Sequence, residues 1–193
     1  MGRWEPGATQ RLVVAAVDLF TEQGYDATTV AQIAERAGVT RSTFFRHFPD
    51  KRELLVAGQA TLSALLAEGI AAAPEGATPL DAVAVGLRRA AAEMGPLNHD
   101  LGPRLHAAIA TSAELQERSL LKSVGMAAAM NEALRARGVA DATAHLAAEL
   151  GVLAFKRGYA RWADPARDGA PGELAEHTRA ALDELREASA GLR

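Results

Sequence analysis

The 193-residue chain reads as an all-α protein, a small N-terminal three-helix unit joined to a larger helical one. Three observations predict this. Strand signals are nearly absent, while apolar residues recur at spacings of three and four from end to end. Glycine and proline punctuate that pattern at helix-length intervals. Six of the nine aromatics lie in the first 48 residues, so the N-terminal part has an aromatic core of its own, followed by an Ala/Leu-rich remainder.

Each element has its own signal. Leu12, Ala16, Leu19 and Phe20 form one stripe, and Gly24 ends the first helix. Thr29 with Gln32 is a capping box, and Val30, Ile33, Ala34 and Ala37 line a short second helix up to Gly38. After "GVT", Arg41 to His47 form a third helix that stops before Phe48-Pro49, because proline disfavours helical geometry in the residue before it. Asp50 with Glu53 is a second capping box, expected to open one long helix running to the break near residues 73 to 79. Gly95-Pro96, Gly102-Pro103, Gly138 and the "ADPARDGAPG" loop at 163 to 172 then separate helices near 79–94, 97–110, 113–137, 141–162 and 173–190. The domains expected are residues 1–52 and 53–193.

About half the residues are apolar and fewer than a quarter are charged, the balance of a folded chain. With no cysteine, thiolate metal sites and disulfides are excluded, and a reducing cytoplasm is the expected setting. The N-terminal "MGRWEPGATQ" lacks the cationic-then-apolar order of a leader, and no uncharged apolar run approaches about 18 residues, so no membrane partner is expected. The net charge of −3 is uneven: residues 1–52 carry seven Lys/Arg against six Asp/Glu, and the remainder 14 against 18. Any surface for a polyanion must therefore come from local placement of cations.

Two short helices joined by a glycine-containing turn are the sequence form of a helix-turn-helix. Gly38 turns the chain, Val39 plugs the space between the helices and Thr40 caps the third. Phe44 and Phe48, four apart, then face inward with Ile33 and Ala34. Arg41, Ser42, Thr43, Phe45, Arg46 and His47 are left on the outer surfaces.

Residues 9–55 resemble the DNA-binding region of the TetR family of bacterial transcriptional regulators, with "AAVDLFTEQGYDATTV", "IAERAGV" and "FRHFPDKRELL" in the family's order and spacing. The resemblance implies an all-helical homodimer with a helix-turn-helix DNA-binding domain and a larger ligand-binding and dimerisation domain. Its partners would be double-stranded DNA and a small-molecule effector, and most such proteins are repressors released from DNA by the effector. By position, Arg41, Ser42 and Thr43 match residues that approach base edges. Arg41 leads, because a guanidinium donates two hydrogen bonds to guanine. Thr29, Thr40, His47 and Lys51 match positions that hold the phosphate backbone. Phe45 stands where the family commonly has tyrosine, so a phosphate hydrogen bond is replaced by packing, and Arg46 is placed to compensate.

In segment 141–162, Ala147, Gly151, Ala154 and Gly158 line one helix face with small residues, so another helix can approach closely. Leu174, Thr178, Ala181, Leu182 and Leu185 line the last helix. The resemblance pairs these two helices with their symmetry mates, and dimerisation is expected there; completion of a monomer core is the other reading. The resemblance also puts the ligand cavity between about 53 and 137. Met94, Met126 and Met130 are candidate walls, though methionines four apart also suit ordinary core. His106 is a candidate polar pocket residue; with His99 it lacks a third ligand, so no metal is expected. Tyr159 and Trp162 end a helix and suit either a pocket or an interface. The long helix from Asp50 is the expected coupler between effector and DNA.

No P-loop, dinucleotide fingerprint, nucleophile elbow or HExxH occurs, so neither an enzyme nor a cofactor is expected. The alternative to a regulator is an all-helical small-molecule-binding protein without specific DNA affinity, and the segment from Arg41 to Lys51 separates the two.

Overall fold

A computed structural model describes residues 7–164 and 173–191. The first six residues, and most of the loop expected at 163–172, lie outside the described residues. Within them the chain is all-α, with no strand. α1 (Ala8–Gln23) buries Leu12, Ala16, Leu19 and Phe20 and ends at Gly24, whose φ of 84° suits glycine. α2 (Val30–Arg36) opens on the expected capping box: the Thr29 hydroxyl accepts from the Gln32 amide, and the Thr29 amide donates to the Gln32 side chain at 2.8 Å. α3 (Arg41–His47) starts at Thr40, whose hydroxyl accepts from the Thr43 amide at 3.1 Å. Gly38, at φ 66°, makes the turn between them.

The long helix expected from Asp50 is not formed. Asp50 does cap, accepting from the amides of Arg52 (3.0 Å) and Glu53 (3.2 Å), but it opens only a 3-10 turn, Arg52–Val56. The chain then passes through Gly58 at φ 77° before α4 (Gln59–Ala71) begins. The physical reason lies in the apolar run, which serves two cores. Leu54 and Leu55 join the first, and Leu62, Leu65, Leu66 and Ile70 join the second. The same stretch, Arg52–Ala71, is apolar and long enough on composition to cross a bilayer, contrary to the sequence expectation, but its leucines are buried in those cores.

Then come α5 (Pro79–Ala91), α6 (Pro96–Thr111), α7 (Ala113–Ala136), α8 (Asp141–Trp162) and α9 (Leu174–Ala190). Pro103 lies inside α6. α4 and α5 touch backbone to backbone: a Cβ on Gly69 would come within 2.6 Å of the Gly86 Cα.

By contact the chain forms two compact units that differ from a single division at 52/53. The first is the chain up to Ala57 with Arg104–Leu121, and the second is Gly58–Pro103 with the chain from Lys122 onward. Leu115, fully buried, and Ala108 complete the aromatic core of the first unit, with Leu105 and Ile109 packed against it. A helix-turn-helix core this small needs that extra apolar surface.

In the second unit the small-residue face of α8 is spent within the chain. A Cβ on Gly158 would meet the Thr178 backbone of α9 at 2.6 Å, and one on Gly151 would meet Val83 at 2.8 Å and Met130 Sδ at 3.0 Å. Leu174, Thr178, Ala181, Leu182 and Leu185 are buried in the same place. The stripes expected to form a dimer contact therefore close this unit's own core.

Candidate nucleic-acid interface

The phenylalanines of α3 divide as their spacing requires. Phe44 is fully buried and Phe48 is buried, while Phe45 is 49% exposed and held edge-on against Phe44 at 5.4 Å. Arg41, Ser42, Arg46 and His47 are exposed, and Thr43 is half-buried.

Hydrogen bonding separates the candidates into two sets. Thr29 is committed to its capping box, and the hydroxyls of Thr40 and Thr43 meet at 3.0 Å. His47 Nδ1 lies 3.2 Å from the Thr9 hydroxyl of α1. Lys51 Nζ donates to the carbonyls of Tyr25 (2.8 Å) and Thr28 (3.0 Å) and sits 4.0 Å from the centre of the Tyr25 ring. These residues hold the unit together as well as facing outward.

The basic residues show the local placement that the near-neutral net charge demands. Arg36 forms a two-bond pair with Glu22, both at 2.8 Å, which lowers the carboxylate's pKa and raises the guanidinium's. Arg11 donates to the Ala37 carbonyl, and Arg52 pairs with Asp50 at 2.9 Å. Among the described residues up to Arg52, the cations left with no hydrogen bond or ion pair are Arg41 and Arg46, both on the outside of α3. A short helix thus presents two uncommitted guanidiniums, a free Ser42 hydroxyl and an exposed aromatic. Such a set can pair with phosphates and donate to base edges.

The sequence did not point to Tyr25, the seat of Lys51, or to Thr9, the partner of His47. Both contacts join residues more than 20 positions apart, and no local pattern announces them.

Of the four ligand candidates, the three methionines share the second unit's core. Met126 and Met130 are buried in the second core, Met130 against Gly151, and Met94 is half-buried beside it. His106 is exposed and belongs to the first unit, where α6 turns it outward while Leu105, Ala108 and Ile109 face the core. Tyr159 donates to the Asn98 carbonyl at 2.6 Å, and His99 stands edge-on to Trp162 at 4.9 Å, so Tyr159 and Trp162 of α8 hold the start of α6. Among the described residues no three His, Asp or Glu side chains gather as metal ligands.

Residues 12–57 match the family described as "Bacterial regulatory proteins, tetR family". The HTH-type transcriptional regulator TcmR of Streptomyces glaucescens is 36% identical over 91 residues, covering 43% of this chain and 40% of TcmR. The chain thus matches less than half the length of that relative. Among solved structures, Thermus thermophilus FadR, a TetR-family transcriptional repressor in complex with lauroyl-CoA, is 26% identical with a TM-score of 0.50, over 93% of each chain. A TetR-family regulator from Syntrophomonas wolfei superposes over 96% of each chain with a TM-score of 0.63; at 18% identity it shows the fold.

Proposed function

From the TetR-family DNA-binding domain that this chain carries at residues 12–57, we propose that it is a sequence-specific transcriptional regulator, a cytoplasmic homodimer that represses from a palindromic operator until a small molecule releases it. The observation that carries the reading is the pair of uncommitted guanidiniums, Arg41 and Arg46, flanking exposed Phe45 on a capped helix whose other face is anchored by Phe44. Arg41 reads a guanine, and Ser42 and Thr43 face neighbouring bases. Thr29, Thr40, His47 and Lys51 hold phosphates, and Phe45 packs on sugar or a thymine methyl.

The dimer is supported by the outer face of α8, where Leu146 and Leu153 are 59% and 39% exposed, with half-buried Leu150 between them. Two copies related by a two-fold axis set recognition helices in successive major grooves, about 34 to 36 Å apart. The effector is an apolar small molecule taken up by the second unit, whose core is aliphatic; the lauroyl-CoA of FadR is consistent with that class. It shifts DNA affinity by its preference for one shape of the protein, usually about 1 to 3 kcal/mol.

Two substitutions test base reading against phosphate holding. Arg41→Ala should relax the selected sequence at one base pair per half-site, at a cost of about 1 to 3 kcal/mol. Arg46→Ala should weaken binding to all sequences alike. If Arg41→Ala leaves the selected sequence and the affinity unchanged, the proposed reading is wrong.

A further inference from the structure

We propose that Thr9, in the first turn of α1, is a positioning residue for His47: its hydroxyl holds Nδ1 of the imidazole, so that the opposite ring nitrogen, Nε2, presents an N–H to a DNA phosphate. The proposal rests on the functional reading above and names what fixes one of its phosphate contacts.

His47 is the last residue of α3 and Thr9 the second of α1, 38 positions apart in the chain. The Thr9 hydroxyl nevertheless lies 3.2 Å from His47 Nδ1. Both residues ride on anchored helices. The imidazole centre stands 6.5 Å from the ring of Phe48, which is buried and packs on fully buried Phe44 at 5.9 Å. α1 is seated in the same core through Leu12, Ala16 and Leu19. Only the two side chains themselves are exposed.

The chemistry of the ring makes the contact directional. A neutral imidazole carries one N–H and one bare acceptor nitrogen. With the proton on Nδ1, Nε2 would turn its lone pair toward the phosphate, and two acceptors would face each other. A hydroxyl that donates to Nδ1 leaves the proton on Nε2, so the ring donates outward without carrying a charge. When the ring takes up a second proton, the same hydroxyl turns and accepts from Nδ1–H, and Nε2–H keeps its direction. A threonine oxygen serves both states because it is donor and acceptor at once. Among the described residues the imidazole has no hydrogen bond besides this one, which leaves Nε2 for DNA. A hydrogen bond between two exposed groups competes with water and adds little to stability, so its loss should be felt in binding rather than in folding.

The test is a double-substitution cycle on the full chain, read as affinity for the DNA sequence that the wild type selects. Thr9→Val keeps the branched shape and removes the hydroxyl. It should weaken binding about three- to tenfold in a dimer that loses the contact twice, with the melting temperature unchanged. Thr9→Ser, which returns the hydroxyl without the methyl, should restore the affinity. In a His47→Ala background Thr9→Val should cost less than about twofold, because the ring it positions is gone. Wild-type affinity in Thr9→Val or in His47→Ala overturns the proposal. So does a Thr9→Val loss that persists undiminished without His47, which would mean that Thr9 touches DNA itself. Failure of the wild-type chain to select any DNA sequence instead overturns the functional reading, which keeps the two outcomes apart.

Discussion

Phe44 and Phe45 are neighbours with opposite fates, one buried completely and the other half exposed. A helix turns about 100° per residue, so only one of them can face Ile33 and Ala34, and that much is legible in the sequence. The caps at Thr29 and Thr40 are legible for the same reason, because donor and acceptor lie three residues apart. Lys51 is not: its partners at Tyr25 and Thr28 depend on how the loop after α1 folds back. Residue-scale electrostatics gives a pH prediction in the second unit. Hydrogen bonds from Thr78 first, and then from Arg186 of α9, lower the Asp81 pKa. A carboxylate depressed in the folded state stabilises the protein above its ordinary value of about 3.9, and that stabilisation is lost as pH falls through the depressed value. Asp81→Asn should therefore unfold at a lower temperature than wild type near neutrality, with the gap closing in acid. A gap that stays constant from neutral pH down to strong acid contradicts the assignment.

At the scale of elements, the glycines of α8 show both the reach and the limit of pattern reading. Small residues at spacings of four, three and four announce that some helix approaches closely, but not which one. The helix that approaches is this chain's own α9 at Gly158, with Val83 and Met130 two turns away at Gly151. Gly158→Ala puts a methyl within 2.6 Å of the Thr178 backbone, which cannot move aside as a side-chain tip would. It should cost about 1 to 3 kcal/mol in urea unfolding. Gly95→Ala, whose new methyl meets nothing within 4 Å, serves as the near-neutral control. Equal stabilities for the two variants would refute the close α8–α9 contact. The helix expected from Asp50 shows the converse: its cap forms, but Gly58 and the division of leucines between two cores limit it to a 3-10 turn.

For the whole molecule, helix number and order were legible, because apolar spacing and Gly/Pro punctuation are local properties. The recruitment of Arg104–Leu121 into the first unit was not, since an amphipathic stripe looks the same whichever core it joins. Charge behaves similarly: a sum near zero over the first 52 residues conceals two uncommitted, exposed arginines on α3. The central claim is that α3 reads DNA as one half of a symmetric pair. Selection of bound sequences from a random DNA pool, repeated at two salt concentrations, tests it most directly. The account predicts a palindrome whose half-sites lie about one helical turn apart, with affinity falling steeply as salt rises. Recovery of no common sequence at either salt would contradict it.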